Sequence, residues 1–113
     1  MNISSLHNIK TLRKRNEIKA VLDYGKKIST KYGLIFLYND GEHLDKKAAV
    51  LLKKSVGSAV KRNYIKRILR SIIRNHHNII FNDCNRVVFI YNYNGDSAFS
   101  LIEEEYLNKL KKV

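Results

Sequence analysis

The chain has little with which to do covalent chemistry. It contains one cysteine, Cys84, so it can form no intramolecular disulfide and no cysteine-based zinc site. Its four histidines, His7, His43, His76 and His77, fall at no metal-ligand spacing, and the adjacent pair would point about 100° apart on a helix. There is no glycine-rich phosphate loop: Gly57-Ser58-Ala59-Val60-Lys61 lacks the Walker spacing. No nucleophile–base pair is readable, and Asp40, Glu42 and Asp45 read as the acids of one polar loop. These absences argue against a self-sufficient enzyme, and neither a catalytic residue nor a metal ligand is assigned to the chain alone. Long hydrophobic runs are missing too. LIFL at 34–37, AAVLL at 48–52 and VVFIY at 87–91 fall far short of the roughly 18–20 apolar residues of a membrane span. The first residues, MNISSLHNIKTLRKR, lack the continuous apolar segment of a secretory signal. The expectation is a soluble cytoplasmic protein that needs no membrane.

Acidic residues are the third scarcity. Ten Asp and Glu stand against 22 Lys and Arg, a formal net charge of +12 over 113 residues. Such an excess suits nucleic acid or an anionic surface, not a small acidic metabolite. The length fits one domain, 1–113, with a small core, and residues 1–10 read as an extended arm.

What is present is concentrated in Ser55 to Arg74, SVGSAVKRNYIKRILRSIIR, which holds no acid at all. At the helical step of about 100°, Val60, Tyr64, Ile65, Ile68, Leu69, Ile72 and Ile73 fall on one face. Asn63, Lys66, Arg67, Arg70 and Arg74 fall opposite, with Arg62 at the border and Lys61 on the apolar side within the first turn. Cations on a helix surface can be mere solvated charge. Here no i,i+4 carboxylate offsets them, so they repel one another unless a polyanion neutralises them.

The remainder reads in order. Arg13, Lys14 and Arg15 precede a short helix that Asn16 can cap and Gly25 can end, with Ile18, Val21 and Leu22 on its apolar face. Residues 26–38 read as extended, with Tyr32, Leu34, Phe36 and Tyr38 alternating against Gly33, Ile35 and Leu37. Asn39-Asp40-Gly41 signals a turn, and 39–47 a hairpin loop. Strand 48–52 leads through Lys53, Lys54 and the permissive Gly57 into the basic helix. Residues 78–86 read as a loop and 87–91 as a buried strand. A last helix, capped by Asp96 or Ser97 or starting at the Ser100–Glu103 capping box, turns Phe99, Ile102, Tyr106 and Leu110 inward. The order α-β-β-β-α-β-α implies an α+β sandwich with a small mixed sheet. Its chemistry suits RNA: Arg and Lys neutralise phosphates, and sheet aromatics stack on unpaired bases.

From Lys53 to Arg70, K-K-S-V-G-S-A-V-K-R-N-Y-I-K-R-I-L-R resembles the signature helix of the bacterial ribonuclease P protein family, approximately K-K-x-G-x-A-V-x-R-N-R-x-K-R-x-x-R. Lys53, Lys54, Gly57, Ala59, Val60, Arg62, Asn63, Lys66, Arg67 and Arg70 match, with one extra residue before the glycine. Leu12 to Gly25 and Val87 to Leu110 resemble the family's opening helix and its last strand and helix. The departures are Tyr64 in place of the second Arg of R-N-R, Ile18 where an aromatic is common, and Asn92-Tyr93 after the last strand.

The resemblance implies a two-layer α/β sandwich with a left-handed βαβ crossover, similar to a domain of a small-subunit ribosomal protein. It implies a protein subunit that assists endonucleolytic removal of the 5′ leader from precursor tRNA. In that ribonucleoprotein the RNA carries the catalysis, with Mg²⁺ held mainly by RNA and substrate. By position, Lys61, Arg62, Asn63, Lys66, Arg67, Arg70 and Arg74 would contact the catalytic RNA. Arg13, Lys14, Arg15, Ile18, Leu22, Phe36, Lys53 and Lys54 would contact the leader and precursor tRNA. The implied partners are ribonuclease P RNA and precursor tRNA, with no protein partner required. A ribosomal or RNA-chaperone module shares the same charge and fold type. A DNA-binding helix-turn-helix would need a short helix just before the basic one, where the residues read as strand.

Overall fold

Short apolar runs form strands and segments with period 3.6 form the long helices. The structure is a computed structural model and describes residues 9–112. In chain order the elements are β1 (Ile9–Thr11), α1 (Arg15–Tyr24), β2 (Lys26–Thr30), β3 (Gly33–Tyr38), β4 (Lys46–Leu52), a single 3-10 turn (Lys54–Val56), α2 (Ala59–Asn75), α3 (His77–Ile80), β5 (Arg86–Tyr91) and α4 (Phe99–Lys111). The fold is mixed α+β, and β2, β3 and β4 are the three strands expected between the first helix and the basic one. Residues 1–8, most of the expected arm, lie outside the described residues. At the end of that arm Ile9–Thr11 is a strand, parallel to β4, with Ile9 fully buried.

The five strands form one sheet in the order β1-β4-β5-β3-β2. β5 is its centre, antiparallel to β3 and parallel to β4. This overturns the hairpin expected at 39–47: β3 and β4 are not neighbours, because β5 lies between them. β5 is apolar on both faces and fills the middle of the sheet, where both of its edges are paired. The segment between β3 and β4 is instead a surface connection, organised by Asn85. Its amide donates to the carbonyls of Asp40 and His43 at 2.8 Å each and accepts the Asp40 N–H at 2.8 Å. The tight hairpin is β2–β3, where the Thr30 hydroxyl accepts the N–H groups of Tyr32 and Gly33.

Parallel β4 and β5 are joined through α2, so the basic helix is the crossover of a βαβ unit. It packs in the main core with α3 and α4, against Ile35, Ala48, Val87, Phe89 and Tyr91. α1 covers the other face through Val21, over Phe36, Ala49 and Val88. Other local expectations shift by a few residues. The N-cap of α1 is Lys14, not Asn16, and makes no side-chain cap bond. The N-cap of α4 is Ala98, and the Ser97 hydroxyl is instead bonded to that of Tyr32 at 2.8 Å. α3 occupies the start of the expected 78–86 loop, its His77 one residue ahead of it.

Candidate nucleic-acid interface

Five large side chains hold α2 to the core: Ile65, Ile68, Leu69, Ile72 and Ile73. Burying each is worth about 1.5–3 kcal/mol, so the helix is anchored along its length. Val60 and Tyr64, expected on that apolar face, are 80% and 51% exposed. The buried arc is centred between Ile65 and Ile72, which turns the first two turns of this side out to water.

Both ends of α2 are pinned. At the start, Gly57 has φ 148°, a region that favours glycine, and the Ser58 hydroxyl caps the helix by accepting the Lys61 N–H at 3.2 Å. The Lys61 ammonium donates to the carbonyls of Asn94 and Gly95 at 3.0 and 3.2 Å and lies 3.5 Å from the Asp96 carboxylate. It ties the helix to the loop before α4 and does not stand free. The Arg62 guanidinium donates to the Gly57 carbonyl at 3.2 Å. At the other end the His76 ring meets the Glu103 carboxylate of α4 at 3.0 Å.

Between these pins the polar face is open. Asn63, Arg67 and Arg70 are exposed, and Lys66 and Arg74 half-exposed. Arg74 donates to the Ser71 hydroxyl at 3.2 Å. Among the described residues, Lys61 is the α2 cation that pairs with a carboxylate; the others in ion pairs are Lys19, Lys47 and Arg86, besides two histidines. From Asn63 to Arg74 this stripe runs about 16 Å along the axis.

A second surface lies across the sheet. Ile18 and Leu22 of α1 are half-buried over a cluster that includes Phe36, itself only 7% exposed. One row further along the strands the register places Leu51 beside Ile90 and Ile90 beside Leu34. These three remain partly exposed on the face that α1 shares. They were not singled out from the sequence, although strand alternation already put Leu34 with Phe36. Lys53 and Lys54 follow directly from β4 and are exposed, at the passage from this face to α2. Arg13, Lys14 and Arg15 are exposed at the start of α1.

The groups that could react are held back. Burial pushes the Cys84 thiol up to about 11, and it donates to the Ile80 carbonyl. Such a thiol is protonated, and so poorly nucleophilic, at neutral pH. Among the described residues no group of three or more His, Cys, Asp or Glu side chains is placed to hold a metal ion, and no helix is long and apolar enough to cross a membrane.

The model of the family described as Ribonuclease P matches residues 6–113. The chain belongs to the ribonuclease P protein family. It is similar to the ribonuclease P protein component of Syntrophomonas wolfei, 31% identical over 101 residues that span 89% of this chain and 84% of that one. The component from Acholeplasma laidlawii is 28% identical over 108 residues, 95% of this chain and 91% of the relative. The Staphylococcus aureus RNase P protein shares the fold, with TM-score 0.79 and 20% identity, over 90% of this chain and 93% of that one. The Thermotoga maritima RNase P protein, solved with 1-(4-fluorophenyl)-2-thiourea, gives TM-score 0.75 at 26% identity, over 90% and 98%. The ribonuclease P family thus accounts for nearly the whole chain, and both surfaces just described lie within the matched residues.

Proposed function

We propose that this chain serves as the protein subunit of ribonuclease P, gripping the catalytic RNA with α2 and the 5′ leader of precursor tRNA with the α1 face. The observation that carries the reading is the α2 stripe. Asn63, Lys66, Arg67 and Arg70 project from a helix that the core and both its ends immobilise, and among the described residues no carboxylate pairs with these cations. A stripe on a pre-ordered helix loses little backbone freedom on meeting a phosphate backbone, and it gains by releasing counterions. Lys61 acts in this scheme as an internal tie, and Arg62 braces the first turn while keeping part of its guanidinium available.

On the opposite face, Leu34, Leu51 and Ile90 offer an apolar floor for the bases of a single strand, walled by Ile18 and Leu22, with Phe36 beneath α1. Lys53, Lys54, Arg13, Lys14 and Arg15 neutralise its phosphates from either side. The two surfaces oppose each other across one sheet, so the chain can hold leader and RNA at once. The charged side chains assigned to both surfaces are ammonium and guanidinium groups, which repel a divalent cation. In this reading Mg²⁺ belongs to phosphates of the RNA and substrate, bond cleavage to the RNA and the site of action to the cytoplasm, and no further protein is needed.

Reconstitution tests this. The full chain, added to ribonuclease P RNA at low Mg²⁺, should accelerate removal of the leader from precursor tRNA. The triple reversal of Arg62, Lys66 and Arg67 to Glu should abolish that gain and flatten the salt dependence of RNA binding. Binding to the RNA without faster processing would instead assign the chain to the ribosomal or RNA-chaperone class.

A further inference from the structure

Tyr64 is left over by the phosphate-gripping reading of α2. It is 51% exposed, and Val60, one turn earlier, is 80% exposed. Both stand on the outward side of α2, with Arg67 three residues beyond Tyr64 and so on the same side. A half-exposed ring on a helix surface adds little to the free protein: it removes little apolar area from water, and tyrosine is a poorer helix former than arginine or lysine. Among the described residues no partner takes its hydroxyl. A small apolar step thus sits in the most cationic surface of the molecule, bordered by Asn63 and Arg67.

We propose that Tyr64 is a stacking platform for an unpaired base of the RNA gripped by α2, with Val60 packing against the sugar or base edge. The inference rests on the α2 reading above and deepens it, from contacts that neutralise phosphates to one contact that needs an unstacked base. RNA fits the patch better than a protein does, because a protein surface docking here would have to satisfy Arg67 and the neighbouring cations of the stripe with acids of its own. An RNA strand brings phosphates and ring faces together. Base-on-aromatic stacking is tolerant of sequence and needs only an accessible ring face, which a tyrosine half out of water supplies. Neutral stacking also leaves a different mark from ionic contact: it adds affinity that salt does not remove.

The test is equilibrium binding of the full chain to a ribonuclease P RNA transcript across a salt series, for wild type, Tyr64→Ala, Tyr64→Phe, Tyr64→Arg and Arg67→Gln. Tyr64→Ala should lose about tenfold in affinity at every salt concentration, within the range stacking supplies, with an unchanged log–log slope. Tyr64→Phe should keep the affinity. Tyr64→Arg should recover affinity only at low salt, with the slope steeper by about 0.7–0.9. Binding to a fully paired RNA duplex should be equal for wild type and Tyr64→Ala, and the thermal midpoint of the free Tyr64→Ala chain should match wild type, since the ring is exposed. If Arg67→Gln weakens binding and Tyr64→Ala does not, stacking is overturned while the α2 reading stands, and the patch passes to a protein partner. If wild type and Arg67→Gln bind the transcript alike, the α2 reading fails and the stacking proposal falls with it.

Discussion

Gly33 shows how a single missing carbon can decide a strand's position. It has φ 153°, and a Cβ built there would lie 1.9 Å from the Ile90 carbonyl oxygen, a backbone atom that cannot step aside. Gly57 has a similar φ of 148°, but its added Cβ would meet only the flexible Lys61 side chain, at 2.7 Å. Gly33→Ala should therefore cost well over about 2 kcal/mol in urea unfolding and Gly57→Ala about 1–3 kcal/mol, set by backbone strain alone; equal losses would contradict the clash. Arg86 is the other decisive residue. It is 3% exposed, and it donates to the Asp45 carbonyl at 2.6 Å, the Asn85 carbonyl at 2.9 Å and the Asp45 carboxylate at 3.2 Å. Desolvation alone would raise the Asp45 pKa, but the hydrogen bond and charge of Arg86, helped by Lys47, more than offset it and hold the carboxyl below its ordinary value. A carboxyl with a depressed folded-state pKa stabilises the fold above its unfolded value, and that contribution fades as pH falls through the folded one. Asp45→Asn should thus lower stability at pH 7 by about 1–3 kcal/mol and lose less than wild type on going to pH 3. Parallel acid limbs in the two urea series would rule out the pair as a source of acid lability.

Among the elements, α1 and α2 are mirror cases of what a helix can be used for. α2 buries a wide apolar arc and keeps a cationic face clear, and its identity was readable from period, charge and the absence of acids. Its rotation was not fully readable: a helical wheel counts Val60 and Tyr64 as apolar, whereas the arc that is buried is Ile65, Ile68, Leu69, Ile72 and Ile73, and the helical step sets the other two about 100° or more from Ile65. α1 is short and its end was legible, for a reason other than positive φ: at Gly25, with φ −74°, a Cβ would come 2.4 Å from the Val21 carbonyl oxygen. Its start was misplaced because Lys14, with no capping side chain, occupies the N-cap, and Glu17 in the first turn answers the dipole while reaching Lys47 at 3.5 Å. The apolar side of α1 lies on Phe36, so Phe36→Ala should open a cavity there and cost about 3 kcal/mol. Because that cavity underlies the proposed leader site, the variant should lose affinity for precursor tRNA bearing a leader and keep it for mature tRNA, measured as holoenzyme. Equal loss for both substrates would detach Phe36 from the leader.

At the scale of the molecule, the topology was the least legible feature, and the reason is physical. Local signals name a turn at Asn39-Asp40-Gly41, and a turn between two strands suggests a hairpin. The placing of β5 between β3 and β4 depends on pairings about 40 and 55 residues apart in sequence, which no local spacing reports. The charge, by contrast, was fully legible, and it sets the behaviour of the whole. A net +12 on a chain this small raises the energy of the compact state by self-repulsion. Salt can act on it in two opposite ways, weakening repulsion and weakening ion pairs. Among the described residues, just four pairs join permanently charged groups, Lys19–Asp23, Lys47–Glu17, Lys61–Asp96 and Arg86–Asp45. Exposed pairs contribute little each, and the one with a buried member is screened least. Screening of repulsion therefore wins, and the thermal midpoint of the free chain should rise as NaCl is added. RNA binding stabilises the fold by mass action, an effect that salt removes as counterions compete. Melting curves recorded across an NaCl series should accordingly converge: the free protein's midpoint climbs, that of the RNA complex falls, and the two meet where binding is lost. A free-protein midpoint that dropped with NaCl would show that attraction between side chains, not repulsion, governs this surface, and that the exposed cations of α2 are less free than their geometry makes them.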